Sequence, residues 1–219
     1  MYSYSYSSAR RSAPLRLAAA VLGAVALAVG GGALAATAAE EQGEGDVDVK
    51  VDIAPVEQPG VLAMSIAGTS VTLTESGSTA LTRQFVGSLP RVTVADTRTP
   101  AEIPEGAYWY VLGTASDFVG SAGQPEITAG HLGWRPSLID GGASGLVAVG
   151  DEVMTVLDEE TLPGNDVGLV DEELLAMAAD SEEIATEGRW TAEADLFLKT
   201  DVAVAPGEYS SVLTLSLFE

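Results

Sequence analysis

From Asp46 onward, apolar side chains recur at every second position. Val47, Val49, Val51 and Ile53 alternate with Asp46, Asp48, Lys50 and Asp52. Successive side chains of an extended chain point to opposite sides, so this pattern predicts a strand with one apolar and one charged face. Similar runs follow at Val61–Ala67, Ser70–Thr74, Gln84–Gly87, Arg91–Ala95 and Ala107–Ala115. Glu126–Ile139, Asp151–Leu157, Ala194–Lys199 and Tyr209–Phe218 complete the set, and Leu213, Leu215 and Leu217 share one face of the last. Gly, Pro, Ser and Asp punctuate the gaps. Short strands separated by turn residues predict an all-β protein, an antiparallel immunoglobulin-like β-sandwich. One short helix is expected in a connection, over Asp171–Ala179. There Asp171, Glu172 and Glu173 suit a helix N-terminus and Leu174, Leu175 and Met177 follow.

The N-terminal residues break this pattern. Arg10, Arg11 and Arg16 precede an uncharged stretch, Leu17 to Ala39, and Ala36-Thr37-Ala38 supplies small residues at a cleavage-site spacing. These are the three regions of a secretory signal. The expected organisation is a signal peptide over 1–38, an acidic linker over 39–45 and one β-sandwich domain over 46–219. A retained anchor is the alternative, because the run approaches the ~20 residues that span a bilayer. Gly30-Gly31-Gly32 interrupts it and favours cleavage. Arg10-Arg11 also raises the twin-arginine route, which Ser12, Ala13 and Pro14 fit poorly. No second apolar span follows, so no membrane span is expected after cleavage, and the expected location is extracellular or wall-associated.

Charge narrows the partners. All 32 acidic residues of the 219-residue chain lie beyond the leader, against seven basic ones there, a formal charge of −25. Such a surface repels phosphate backbones and anionic membranes, so nucleic acid is excluded as a partner. The absence of cysteine excludes disulfides, thiol catalysis and thiolate metal sites. The one histidine, His131, sits in the turn-rich Gly130–Trp134, and the chain has no Gly-x-Ser-x-Gly and no phosphate-binding loop. A structural imidazole and no enzymatic activity are therefore expected. Abundant carboxylates and Trp109, Trp134 and Trp190 keep a carbohydrate-binding or carbohydrate-active module open. No cofactor is expected. Calcium is the one ion to consider, because Asp46, Asp48 and Asp52 superficially resemble a ligand loop, but the central Gly and terminal Glu are missing.

Two segments carry a family resemblance. Leu89-Pro90-Arg91-Val92-Thr93-Val94-Ala95-Asp96-Thr97-Arg98, then Trp109-Tyr110-Val111, then Ser116-Asp117-Phe118, looks like the first half of the WxL domain family. The last strand, Tyr209 through Leu213-Thr214-Leu215-Ser216-Leu217, is similar to that family's second motif. The sequence departs from it in having Val111 in a Leu position and Leu215 in place of a Trp. The resemblance implies a β-sandwich on the surface of a Gram-positive bacterium, held non-covalently on peptidoglycan. It makes Trp109, Tyr110, Asp117, Phe118, Tyr209 and Leu217 candidate motif and binding residues, and Trp134, in the turn-rich piece beside His131, is a further candidate for recognition. The expected partner is a cell-wall polymer or a surface protein. The alternatives are a subunit of a surface assembly, with Asp46–Ile53 adding to a neighbour's sheet edge, and a carbohydrate-directed module.

Overall fold

A computed structural model describes residues 48–53 and 58–219. The expected leader and acidic linker lie outside the described residues. The chain divides into two units, Met1–Ile53 and Ala54–Glu219.

In the first unit, the strand expected over Asp46–Ile53 is not formed over 48–53. Asp46 and Val47 lie outside the described residues. A strand needs a hydrogen-bonding neighbour, and here Val49, Val51 and Ile53 stand 90%, 80% and 81% exposed.

The second unit is all β. Its strands are β1 (Leu62–Ile66), β2 (Thr74–Glu75), β3 (Thr82–Ser88), β4 (Val92–Asp96), β5 (Tyr110–Ala115) and β6 (Val119–Gly120). They continue as β7 (Leu132–Asp140), β8 (Val147–Val149), β9 (Glu173–Ala178), β10 (Arg189–Asp201), β11 (Tyr209–Ser210) and β12 (Leu213–Phe218). Every pairing is antiparallel.

The first layer is organised on β10. The first half of one edge of β10 pairs with β4 and the second half with β3, while β7 runs along the other edge. β1 borders β4 and β2 borders β3. The second layer has the order β12-β5-β9-β8, and β6 with β11 forms a small ribbon.

The period-two pattern explains the core. Trp190, Ala192, Ala194, Leu196 and Leu198 of β10 are buried, as are Val92 and Val94 of β4. They pack with Trp109, Val111, Leu175 and Ala176 from the second layer in one cluster. The Trp109 and Trp190 rings lie 5.5 Å apart, tilted at 41°. Burying an aromatic side chain of this size contributes roughly 1.5–3 kcal/mol, so these rings dominate the interior.

Three expectations change. Glu173–Ala178 is a strand and not a helix. Leu, Ala and Met favour helices in isolation, but β9 is paired on both edges, with β5 and β8, and tertiary pairing overrides the local preference. Asp151–Leu157 makes only a bridge from Val153 to Trp134. Beyond it, the Asp158 carboxylate accepts hydrogen bonds from the Thr155 amide (3.1 Å) and hydroxyl (2.7 Å), folding a turn that ends the pairing. Of Ser70–Thr74 only Thr74 joins a strand, while Val71 and Leu73 pack their side chains over Gly87.

Candidate functional site

The candidate motif residues serve the fold more than a surface. Trp109 and Trp134 are fully buried, and Phe118 is buried beside its bridge partner Ile127. Leu217 faces inward, opposite Val111. Tyr209 packs its ring on the core and donates its hydroxyl to the Ala205 carbonyl at 2.8 Å. The Asp117 carboxylate accepts from the Ala129 amide at 2.8 Å and so holds the start of the turn Ala129–His131. His131 completes that turn, its Nδ1 lying 3.0 Å from the Thr128 hydroxyl. Asp117 is exposed, and Tyr110 lies half-buried on an outer face, stacked between Tyr108 at 5.9 Å and Phe218 at 5.2 Å. These residues do not converge on one cleft.

The Asp-x-Arg segment makes a clamp between layers. The Arg98 guanidinium donates from Nε and Nη2 to both Asp96 oxygens, at 2.9 and 2.7 Å, and from Nη1 and Nη2 to Glu219, at 2.8 and 2.5 Å. Asp96 ends β4 in one layer, and Glu219 follows β12 in the other. Hydrogen bonding to Asp96, then to Glu219, raises the Arg98 pKa further above its ordinary value.

A cleft of about 400 Å³ opens on the outer face of the first layer. Its floor consists of the odd-numbered residues of β10 and their neighbours across β3 and β7. Ser88, Asp195 and Arg135 form one row; Val86, Phe197 and Gly133 the next; Gln84 and Lys199 a third. Glu152 and Met154, beside the Val153 bridge, form a wall. Phe197 is the aromatic of this floor. Gly133 is required beside it, since a Cβ there would strike the Phe197 ring. The Lys199 ammonium lies 5.7 Å from the ring centroid, within cation–π range.

The charges of the cleft are mostly matched. Arg135 pairs with Glu152 at 2.5 Å, and Lys199 pairs with Asp158. Burial pushes the Asp158 carboxyl up, but the hydrogen bonds from Lys199 and Thr155 together outweigh it and hold the group below the usual carboxylate range. Asp195 has no ion-pair partner among the described residues, which leaves its oxygens open to donors. The lining contains no histidine. Among the described residues, no three His, Asp or Glu side chains gather as a metal site would require, and no helix is long and apolar enough to cross a membrane.

Sequence reading missed this cleft because its parts lie on strands far apart in the chain. One signal was present. The outward positions of β10 read Arg189, Thr191, Glu193, Asp195, Phe197, Lys199 and Asp201, and a lone aromatic on that polar face is the anomaly.

Fold and cleft define an antiparallel β-sandwich with a mixed polar and aromatic groove on one outer face. No family model, no curated protein and no solved structure matches this chain.

Proposed function

We propose that this protein is an exported, non-catalytic surface module that holds a glycan strand of the cell wall in the cleft over Phe197. The observation that carries this reading is the open groove of mixed polar groups itself, with Phe197, 9% exposed, closing its floor. The small exposed part of Phe197 gives a sugar limited apolar contact, while hydroxyl and amide groups around the sugar rim need donors and acceptors. Gln84, Ser88, Asp195 and Arg135 offer both kinds of group within the same groove. Arg135 and Lys199 are each answered by a carboxylate, so the groove favours an uncharged polymer over an anionic one. The leader-like N-terminus and the WxL-like segments support the same placement outside the cell.

The test is a pull-down of the protein lacking residues 1–38 with isolated cell walls, across a salt series. Retention that persists at high salt and falls at least tenfold in Asp195→Ala, an exposed groove position, supports the reading. No retention at any salt, or equal retention of Asp195→Ala, overturns it.

A further inference from the structure

The edge strand β1 lacks the usual protection of a sheet border. Its residues, Leu62-Ala63-Met64-Ser65-Ile66, include no charge and no proline, and its pairing with β4 runs without a bulge. Folded proteins normally blunt such an edge with one of these devices, because an open ladder of N–H and C=O groups invites another strand. The Thr97 amide donates to the Val61 carbonyl (3.0 Å) and the Ala67 amide to the Arg91 carbonyl (2.9 Å). By two-residue alternation, Leu62, Met64 and Ile66 therefore turn their backbone groups away from β4. Their side chains face inward, opposite Asp96, Val94 and Val92, yet Leu62 and Met64 are only half-buried and Ile66 is 44% exposed. Among the described residues, edge and apolar side chains are both left short of one strand.

The same chain carries a segment of matching pattern. Asp48–Ile53 presents Val49, Val51 and Ile53 on one side and Asp48, Lys50 and Asp52 on the other. Six extended residues span roughly 20 Å, which covers a five-residue strand. The three apolar side chains match the three inward residues of β1 in number and spacing.

Charge selects the same edge. The outward positions of β1 are Ala63 and Ser65, which oppose no charge. The basic residues on that outer face are Arg91, beside Ala67, and Arg189, next to Ala95. Neither has an ion-pair partner among the described residues. Arg91, two strand spacings or ~10 Å from a strand added to β1, lies about a Debye length away, and Arg189 on β10 lies one spacing farther, so Arg91 is the nearer counter-charge for two aspartates there.

We infer that Asp48–Ile53 of one molecule adds as a strand to the free edge of β1 in a second copy. Val49, Val51 and Ile53 then cover Leu62, Met64 and Ile66, and Asp48 and Asp52 face the side of Arg91 and Arg189. Donor and acceptor are different surfaces, so the contact is head-to-tail and each added molecule brings a donor and an edge of its own.

The experiment is light scattering and sedimentation velocity on the protein lacking residues 1–38, over a wide concentration range. Mass should rise with concentration in steps of one molecule. Val51→Asp blocks the donor and Ser65→Glu blocks the edge; both positions are exposed, and far-UV circular dichroism checks that each variant stays folded. Each variant alone should be monomeric. A mixture of the two should form a heterodimer and nothing longer, because one unblocked donor and one unblocked edge remain. A wild-type protein that stays monomeric at every concentration overturns the inference. So does association that survives in either variant, or a mixture that does not pair. Wall retention by the Phe197 cleft is read separately and does not bear on this outcome.

Discussion

Replacing Arg98 with methionine isolates the energetic role of the clamp. The substitution keeps most of the apolar stem and removes the guanidinium. The Asp96 side chain is 1% exposed and would retain only the hydrogen bond from the residue 98 amide, 3.0 Å in the native protein. Breaking one partner out of a buried ion pair costs about 3–5 kcal/mol, because the remaining charge stays desolvated. Glu219 is more open, with 27% of its side chain exposed, and its loss of a partner adds about 0–1 kcal/mol. A total of roughly 3–6 kcal/mol in a domain of this size lowers Tm by about 6–24 °C. Thermal unfolding followed by circular dichroism at neutral pH measures it. Two comparisons separate the buried charge from lost packing. Glu219→Gln should lower Tm by no more than about 3 °C. Asp96→Asn combined with Arg98→Met should recover most of the loss, since no buried charge is then left alone. An Arg98→Met protein melting within about 3 °C of wild type would refute the reasoning. So would a double variant no more stable than the single one.

Three further outcomes follow from other contacts. The folded Asp158 pKa is depressed, so its stabilisation is complete above the unfolded value, about 3.9, and is lost as pH falls through the lower folded value. Asp158→Asn should therefore lower Tm at neutral pH and flatten the acid limb of a Tm-against-pH curve. Gly113→Ala places a Cβ 2.5 Å from Trp134 Cη2, and this overpacking should cost about 1–3 kcal/mol and change the near-UV dichroism of the tryptophans. Tyr209→Phe removes the hydroxyl that donates to Ala205 and should cost about 1 kcal/mol in denaturant unfolding, with no change in m.

The sandwich was legible because one sheet face is buried and the other is wet. Val92, Val94, Leu196 and Leu198 show their alternation directly in the sequence. The alternation was misleading at Val49, Val51 and Ile53, where the pattern is that of a strand but residues 48–53 form none and these side chains are exposed. At Glu173–Ala178 the error was of the opposite kind. Both edges of β9 are occupied and Leu175, Ala176 and Ala178 are buried, so the polar half of the alternation is missing and the run reads equally well as a helix. The cleft was not legible, because Ser88, Arg135 and Asp195 become neighbours only through registers that the sequence does not display. The motif tryptophans were visible as residues, but their burial follows from pairing and not from spacing.

The position of β10 in the chain also sets the order in which the fold can form. β3 and β4 meet β10 along one edge and β7 along the other, and the strand that joins them begins only at Arg189. A polypeptide emerging from the ribosome has already produced β1 to β9 before this central strand exists. Until then it holds hairpin-like fragments without a closed first layer, and the non-local pairings that dominate the sheet must wait. Closure of the first layer thus waits on Arg189–Asp201, and the strands made before it remain without their common partner until that segment is available.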